Sequence, residues 1–353
     1  MTRNPISVGS PWEASFASLA LLRIWTAVVV LGAADVWHAP LQIPRSVDVQ
    51  PLAGAWGAVL AVLPRTTPFL QGALAVTVLG AAATAVGVRT RLAAAVLALG
   101  LFVLLGLAQL WPTPIHNHHL VWFAALLAAS PCGESLSVDA WLRKRRQRAA
   151  GRAAAPHAAS AAAGFTLWFA SALLAAVYFF PGVHKALDVG TPFFDSAALQ
   201  RLLQLKAFEA GASVPSVLAD HPQGVLWCAG AVVVVEVCFV VLALRARWRR
   251  ACVVVMLALH AGLALSVFIG FSVLAVFAIV FALPVRRTTA SASTRGVAAV
   301  GLVGGVLLAG VALAGTQGTM RGFPFACYPT FAKGPRMGMS IERGPNCWIA
   351  TPV

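Results

Sequence analysis

Apolar segments about as long as a bilayer is thick recur along this chain, from Leu19 to Ala314. A helix that crosses a membrane needs about 20 mostly apolar residues. Nine segments come close to this length, namely Leu19–Trp37, Phe69–Val88, Leu92–Trp111, His118–Leu136, Phe165–Pro181, Val225–Leu244, Ala251–Val267, Phe268–Leu283 and Val297–Ala314. The seventh and eighth are separated at a glycine because one straight helix over both would measure about 50 Å, against a hydrocarbon core of about 30 Å. The sequence therefore predicts an all-α polytopic integral membrane protein with about nine transmembrane helices.

The amino-acid composition favours membrane embedding along the whole chain. Hydrophobic residues make up 59% of the sequence and charged residues 10%, whereas a typical soluble domain contains about 25% charged residues. A secreted protein with one cleavable signal would contain one apolar stretch instead of many, and the first stretch here lacks a small-residue cleavage site. We therefore expect a multi-pass protein of the plasma (inner) membrane, with the lipid bilayer as its partner.

Basic residues lie in short clusters between the apolar segments, and the formal net charge is +15. The clusters are Arg89/Arg91, Arg143–Arg152, Arg245–Arg250 and Arg286–Arg295. All of them fall on one side of a nine-helix topology when the N-terminus is placed in the cytoplasm, as the positive-inside rule requires. Such loops meet anionic lipid head groups, and this distribution argues against nucleic-acid binding. We therefore predict an N-in, C-out topology.

This topology divides the chain into four parts. Residues 1–16 form a cytoplasmic N-terminal segment and 17–285 a transmembrane bundle, 286–315 hold the final helix with its cytoplasmic lead-in, and 316–353 form a short exoplasmic C-terminal tail. Residues 188–222 of the bundle are also exterior. The leucines between positions 197 and 207 predict an amphipathic helix at the interface there.

The six cysteines fall into two groups. Four lie in or beside apolar segments, where we expect them to be small buried hydrophobes: Cys132, Cys228, Cys238 and Cys252. Cys327 and Cys347 lie in the tail. An exterior location permits a disulfide bond between them, which the sequence alone does not establish.

Titratable side chains inside membrane segments cost about 2–3 kcal/mol or more at the bilayer centre, so each one suggests a function. Asn117 and His118 begin the fourth predicted helix, either as an interfacial cap with Asn117 as N-cap or as part of a polar site. No carboxylate or cysteine lies close in sequence to complete a metal site there, and no metal is predicted. His260 lies about halfway along the seventh helix, either as a hydrogen-bonded core residue or as a proton-handling group.

Lysine is rare among the 26 basic residues, with only Lys144, Lys185, Lys206 and Lys333. Lys185 lies at the exterior end of the fifth predicted helix. It either extends its ammonium to the interface or, if buried, becomes a neutral amine that can accept a proton. The rarity of lysine favours the second interpretation.

Four charged residues are expected to form a buried charge network, because opposite charges inside a bundle normally pair. They are Arg23 and Asp35 in the first helix, Glu236 in the sixth, and Asp188, which follows Lys185 by three residues and is a candidate partner for it. The sequence does not assign the other pairs.

The order of the helices places three of these features towards the exterior. His118 begins the fourth helix outside, Lys185 ends the fifth helix outside, and the seventh helix carries His260 towards its exterior half. We therefore predict that they share a water-accessible cavity that opens outwards.

Several stretches of the bundle match, in order, the motifs of one membrane-protein family. Asn117-His118, followed by an apolar helix and Ser135-Leu136-Ser137-Val138-Asp139, resembles the N-N-H-x-Y-L … S-V-D stretch of vitamin K-dependent γ-carboxylases. Tyr178-Phe179-Phe180-Pro181-Gly182-Val183-His184-Lys185 resembles their Y-F-x-A-G-V-K-K segment. His260 followed by Phe268-Ile269-Gly270-Phe271 is similar to their F-H-x … F-S-I-G-x-F.

The first helix continues the resemblance, since Arg23 and Asp35 fit the family pattern L-x-x-F-R … D. From about Leu19 to Leu283 the chain is similar to the bacterial HTTM (carboxylase-like transmembrane) group, which is related to DoxX-like membrane proteins. The resemblance covers the predicted bundle except its last helix.

The resemblance implies a reaction of a reduced, vitamin K-like quinone with O2 that drives carboxylation on the exoplasmic side. It implies that Lys185 is the base, that His118 and Asn117 support it, and that His260 is a further catalytic residue. The tail is too short for the propeptide-binding domain of the carboxylases, and His184 replaces the first lysine of their pair. These departures favour a quinol-linked reaction on a small lipophilic substrate over carboxylation of protein glutamates.

Two other functions fit the same sequence. The first is a non-catalytic, DoxX-like membrane subunit that binds a quinone or a redox partner. The second is a transporter or proton pathway, which is the weakest because the sequence has no inverted repeat and no paired Gly/Pro-broken helices.

Overall fold

A computed structural model describes residues 12–42, 55–110, 117–151, 160–187, 200–201, 203–205, 207–208, 213–267, 272–285, 296–317, 324–325, 339–343 and 348–352. Within these ranges the chain is almost entirely helical. The helices are α1 (Phe16–Gly32), α2 (Ala34–Gln42), α3 (Ala55–Ala61), α4 (Thr67–Val86), α5 (Thr90–Ala108), α6 (His118–Ala129), α7 (Val138–Ala149), α8 (Ala161–Leu187), α9 (Ser213–Ala219), α10 (Pro222–Leu244), α11 (Arg249–Val267), α12 (Ser272–Ala275), α13 (Ile279–Ala282) and α14 (Val297–Thr316). Short 3-10 turns join α10 to α11 and α12 to α13.

Two short strands add a feature that the sequence analysis does not anticipate. Strand β1 (Met339–Arg343) pairs antiparallel with strand β2 (Trp348–Pro352) in the tail, with Ile341 opposite Ala350. The helical residues 200–201, 203–205 and 207–208 fall within the stretch expected to form an interfacial helix. Asp188, Cys327 and Cys347 lie outside the described residues.

Among the described residues, five helices are long and apolar enough to cross a membrane by length and composition, namely α4, α5, α8, α10 and α14. Helices α1 and α2, bent by 43° at their junction, count as a sixth span when taken together. The expectation of an all-α bundle with several membrane-length helices is confirmed. The count of nine spans and the N-in, C-out orientation stay predictions.

Two predicted spans have different bounds in the structure. Helix α6 ends at Ala129 instead of Leu136, because Ser130 precedes a proline and adopts extended backbone angles (φ −93°, ψ 162°), as residues before proline usually do. Helix α8 continues through Pro181 to Leu187 and contains 27 residues, so Lys185 lies within the helix. Apolar length alone did not locate either end.

Helix α8 lies at the centre of the bundle. Buried residues make up 78% of its most apolar window, against 28% for each of α4, α10 and α14. Its packing against α14 is close, because a Cβ atom at Gly304 or Gly315 would come within 2.4 Å of the ring of Phe169 or 2.2 Å of that of Phe180. The later glycine of α14 meets the later phenylalanine of α8, so the two helices run parallel.

Cysteines on the outer helices depart from expectation. Cys132 and Cys252 are buried, as predicted, whereas Cys228 and Cys238 are exposed. Both exposed cysteines lie on α10, whose apolar side chains surround the helix. Apolarity therefore does not indicate which face of such a helix packs inwards, and the prediction of burial is wrong for these two residues.

Buried Arg23 joins three parts of the chain at one end of the bundle. Its Nη1 donates to the carbonyl oxygens of Cys132 (2.7 Å) and Ser135 (3.3 Å). Its Nη2 donates to those of Leu136 (2.5 Å) and Ala85 (3.4 Å). These carbonyls follow the end of α6 or lie in the last turn of α4, where helical hydrogen bonds run out. The guanidinium therefore binds backbone carbonyls across the bundle.

Asp139 holds helix α7 against the turn between α4 and α5. Its Oδ1 accepts from the backbone N–H of Arg89 (2.9 Å), and its Oδ2 accepts from the N–H (2.8 Å) and hydroxyl (2.7 Å) of Thr90. Partial burial raises the pKa of this carboxyl, but the Thr90 and Arg89 hydrogen bonds and the charge of Arg143 outweigh that effect and lower the pKa below 3.8. Asp139 therefore acts as an ionised cap at the start of α5.

We expect Arg23→Met to lower the free energy of unfolding by about 3 kcal/mol or more, because each buried carbonyl left without a donor costs about 1–3 kcal/mol. Arg23→Lys should recover little of the loss, since one ammonium lacks the planar fork that spans several carbonyls. Unfolding with sodium dodecyl sulfate in mixed micelles, followed by tryptophan fluorescence, measures both variants. The control is Arg250→Met, which removes an exposed arginine, and equal losses in Arg23→Met and this control would contradict the assignment.

We expect the contribution of Asp139 to stability to depend on pH in one direction. Because its folded-state pKa is lowered, its contribution is complete above its ordinary pKa of 3.8 and is lost as the pH falls through the lower folded value. The difference in melting temperature between wild type and Asp139→Asn should therefore be present at pH 7 and shrink below about pH 4. Asp220→Asn, at an exposed aspartate, should show no such trend.

Candidate functional site

The ammonium of Lys185 forms a buried ion pair with Glu236. Its Nζ lies 2.6 Å from Oε1 and 2.7 Å from Oε2, and the two side chains are 4% and 7% exposed. The pair joins the last turns of α8 to the inner face of α10. Both hydrogen bonds are charge-assisted, which is the arrangement that best offsets the cost of burying two charges.

Close approach of α8 and α10 makes this ion pair possible. A Cβ atom at Gly182 would lie 2.7 Å from the Cβ of Glu236 and 3.1 Å from the backbone nitrogen of Val237. Gly182 lies three residues before Lys185, on the same face of the helix. Pro181, just before it, has no N–H and removes one backbone hydrogen bond from α8. Next to Lys185, helix α8 therefore has no side chain at Gly182 and lacks one backbone hydrogen bond.

A second buried polar contact lies two turns earlier on the same face of α8. The hydroxyl of Tyr178 lies 2.7 Å from Nε2 of His260 on α11, and the tyrosine ring lies 4.8 Å from that of Phe239. Seven residues separate Tyr178 from Lys185, which is about 10 Å along a helix. Phe239 follows Glu236 by three residues, so Tyr178 and Lys185 both lie along the seam between α8 and α10, and His260 approaches Tyr178 from α11.

Asn117 and His118 have other neighbours. The amide of Asn117 donates to the carboxylate of Asp35, in α2. The ring of His118 packs edge-on against Trp122 at 6.5 Å. The indole N–H of Trp122 donates to the carbonyl of Pro324, at 2.9 Å. The beginning of α6 is therefore covered by α2 on one side and by a piece of the tail on another.

An aromatic cluster lies between these two polar regions. Its rings belong to Phe123 of α6, Phe277 and Phe281 of the α12–α13 segment, and Phe239 of α10. Phe123 and Phe277 are 4.7 Å apart and Phe239 and Phe281 are 5.4 Å apart, both in edge-on or T-shaped geometry. His119 extends the cluster, with its ring 5.3 Å from Phe277. The cluster connects α6 to the seam that holds Tyr178.

The structure thus divides the residues singled out by the sequence among separate contacts. Lys185 binds Glu236, His260 meets Tyr178, and Asn117 binds Asp35, while Arg23 binds carbonyls at another place. The members of the expected charge network therefore do not form one network among the described residues. The shared cavity of His118, Lys185 and His260 stays a prediction, as do their catalytic roles.

Tyr178 is the residue of this region that sequence reasoning did not select as a site residue. A signal was present, because the chain contains only 2 tyrosines and a phenol inside a spanning helix needs a hydrogen-bond partner. In the described ranges, no group of three or more His, Cys, Asp or Glu is placed to hold a metal ion.

Comparison of the chain with protein-family models, with curated proteins and with solved structures finds no match. The resemblance to the carboxylase-like transmembrane group therefore stays a prediction from the motifs.

We expect the Lys185–Glu236 pair to behave as a unit. Lys185→Met or Glu236→Leu alone should lower the free energy of unfolding by about 3–5 kcal/mol, because each leaves a buried charge without its partner. The double variant should lose less than either single one, since no charge is then buried. Denaturation in mixed micelles measures all three variants.

An exposed ion pair in the same chain provides the matched control. Arg143 and Glu134 lie 3.0 Å apart with side chains 39% and 38% exposed, so the cycle of Arg143→Met and Glu134→Leu should show a coupling below about 1 kcal/mol. If the losses from the two Lys185–Glu236 single variants simply added in the double variant, the pair would not be coupled.

Proposed function

We propose that this protein is a multi-pass plasma-membrane enzyme of the carboxylase-like transmembrane group, with nine spans, a cytoplasmic N-terminus and an exoplasmic C-terminus. In this proposal it carries out a quinol-linked reaction with Lys185 as the base. The observation that carries the proposal is the buried Lys185–Glu236 ion pair between two membrane-length helices. Charged groups inside membrane-spanning segments are costly and mostly functional.

The pairing with Glu236 supports a role of Lys185 in proton transfer. In this proposal the Glu236 carboxylate, whose Oε1 lies 2.6 Å from Nζ, takes the proton that Lys185 must lose before it can act as a base. When the ammonium passes a proton to the Glu236 carboxylate, Nζ becomes an amine with a free electron pair. This amine can accept a proton from a hydroxyl group of the substrate, and the new ammonium balances the negative charge left there.

The surroundings of the pair suit a quinol ring. Phe239 and Tyr178 provide aromatic surface along the same seam, and pockets for such ligands are mostly apolar with a few polar groups. The Tyr178–His260 contact offers a hydrogen-bonding pair about two helical turns away. A reduced quinone, when bound, would supply an acidic hydroxyl and two electrons, with O2 as the acceptor that the resemblance implies. In this proposal His118 and Asn117 assist from the beginning of α6.

The second candidate is a non-catalytic, DoxX-like subunit that holds a quinone or contacts a redox partner. The bidentate hydrogen bonding of Lys185 favours it, because an ammonium bound by both carboxylate oxygens also serves as a structural link between α8 and α10. Under this alternative, a variant that preserves the fold without the charges would keep its function.

Mass spectrometry of lipophilic molecules that co-purify with the protein tests both candidates, combined with oxidation of a short-chain reduced naphthoquinone by the purified protein. We expect wild type to retain a quinone and to oxidise the naphthoquinol. Lys185→Ala should lower the rate by about 100-fold or more, as loss of a general base does. Lys144→Ala, at a lysine in the basic helix α7, should leave the rate unchanged.

The Lys185→Met/Glu236→Leu double variant separates chemistry from stability. If it folds and oxidises the quinol at the wild-type rate, Lys185 is not the base and the enzyme proposal is wrong. Quinone retention by every variant without turnover by wild type would favour the non-catalytic subunit.

A further inference from the structure

A groove of about 680 Å³ lies between helix α7 and the turn that joins α4 to α5. Arg89 lines it on the side of the turn, and Asp139, Leu142, Arg143 and Arg146 line it on the side of α7. The groove is separate from the seam between α8 and α10 and from the beginning of α6. The proposed quinol chemistry therefore does not account for the residues that line it.

The charge of the groove is positive. Three arginines against one aspartate leave a formal charge of +2 among the residues that line it. The carboxylate of Asp139 is already bound by the N–H groups of Arg89 and Thr90 and by the Thr90 hydroxyl. Arg143 is paired with Glu134 outside the groove, at 3.0 Å. In the part of the chain that the structure describes, Arg89 and Arg146 have no ion-pair partner, and both are exposed.

Helix α7 also carries a membrane-anchoring face next to the groove. Trp141 is 57% exposed and Leu142 is 36% exposed, and the guanidinium of Arg145 lies over the Trp141 ring at 5.6 Å. Val138, Trp141 and Leu142 fall on one face of the helix, with basic residues beside them. Exposed tryptophan next to clustered arginine is typical of helices that lie in the head-group region of a bilayer.

The position of the groove agrees with this location. The Asp139 contacts join α7 to the beginning of α5, and Arg91 in the first turn of α5 donates to the carbonyls of Ala128 (3.2 Å) and Ala129 (2.7 Å) at the end of α6. The beginnings of α5 and α7 and the end of α6 are therefore joined beside the groove. A lipid in the adjoining leaflet would bring its phosphate to the level of these ends.

We propose that this groove binds the phosphate head group of an anionic phospholipid, with Arg89 and Arg146 as its main ligands. Planar guanidinium groups bind phosphate oxygens in pairs, and basic pockets at the ends of spanning helices recognise anionic head groups. Leu142 and Trp141 contact the upper part of the acyl chains. The inference rests on the proposed membrane location but not on the quinol chemistry.

Native mass spectrometry of the protein released from nanodiscs tests the site, with phosphatidylglycerol and phosphatidylcholine in equal amounts. Wild type should retain phosphatidylglycerol. Arg89→Gln/Arg146→Gln should lower its retention by about 30-fold, because each guanidinium that binds the phosphate contributes about fivefold. Arg245→Gln/Arg247→Gln, which removes the same charge at two exposed arginines of another loop, should lower retention much less, because these arginines attract anionic head groups without lining the groove.

Three results would overturn the proposal. Equal losses in both double variants would mean that overall charge determines lipid retention. Displacement of the lipid by millimolar inorganic phosphate would mean that the groove is a general phosphate site. Melting temperatures of both double variants show whether they are folded, and retention that is unchanged in a folded Arg89→Gln/Arg146→Gln variant would also rule out the site. Naphthoquinol oxidation should be the same in wild type and both double variants, so failure here and failure of the enzyme proposal are distinguishable.

Discussion

A charge buried in an apolar helical bundle must find its partners inside the protein, and much of this structure follows from that constraint. Arg23 donates hydrogen bonds to carbonyl oxygens at the end of α4 and in the segment after α6. Lys185 forms an ion pair with the carboxylate of Glu236 on α10. Arg249 donates to the hydroxyl of Ser171 on α8 at 3.0 Å and to the carbonyl of Val280 at 2.8 Å. Each buried cation therefore joins elements that are far apart in sequence. Apolar side chains alone would leave the rotation of such helices poorly determined, because they pack almost equally well on several faces.

The contacts of Arg23, Lys185 and Arg249 differ in whether the cation can lose its proton, and this difference bears on function. Arginine keeps its proton under all ordinary conditions, so the contacts of Arg23 and Arg249 are structural. The Lys185–Glu236 pair instead joins an ammonium to a carboxylate, two groups that each have a protonated and a deprotonated form. It also lies on the seam that carries the Tyr178–His260 hydrogen bond. The residue that links α8 to α10 is therefore the same lysine that the proposed function uses as a base.

Part of the candidate site follows from the sequence. Lys185 stands out because lysine is scarce in this chain and because a charge in a spanning helix is costly. Both facts can be read directly from the sequence. Its partner is not local, since Glu236 lies 51 residues away on another helix. The sequence offered Asp188 as the neighbour in the next turn, whereas the close approach at Gly182 selects α10. Pairing of Tyr178 with His260 depends in the same way on how α8 and α11 face each other.

The amino-acid sequence already specifies a bundle of apolar helices, because a run of about 20 apolar residues satisfies its backbone hydrogen bonds in a bilayer by forming a helix. It also specifies which charges lie within apolar segments, whereas the prediction that α6 continues to Leu136 overlooked the break at Ser130–Pro131. The packing of the helices sets which buried charge meets which partner, and it leaves both cysteines of α10 exposed. Helices pack closely where small residues such as Gly182 let their backbones approach. Which helix packs at such a residue depends on contacts between segments that are far apart in the sequence.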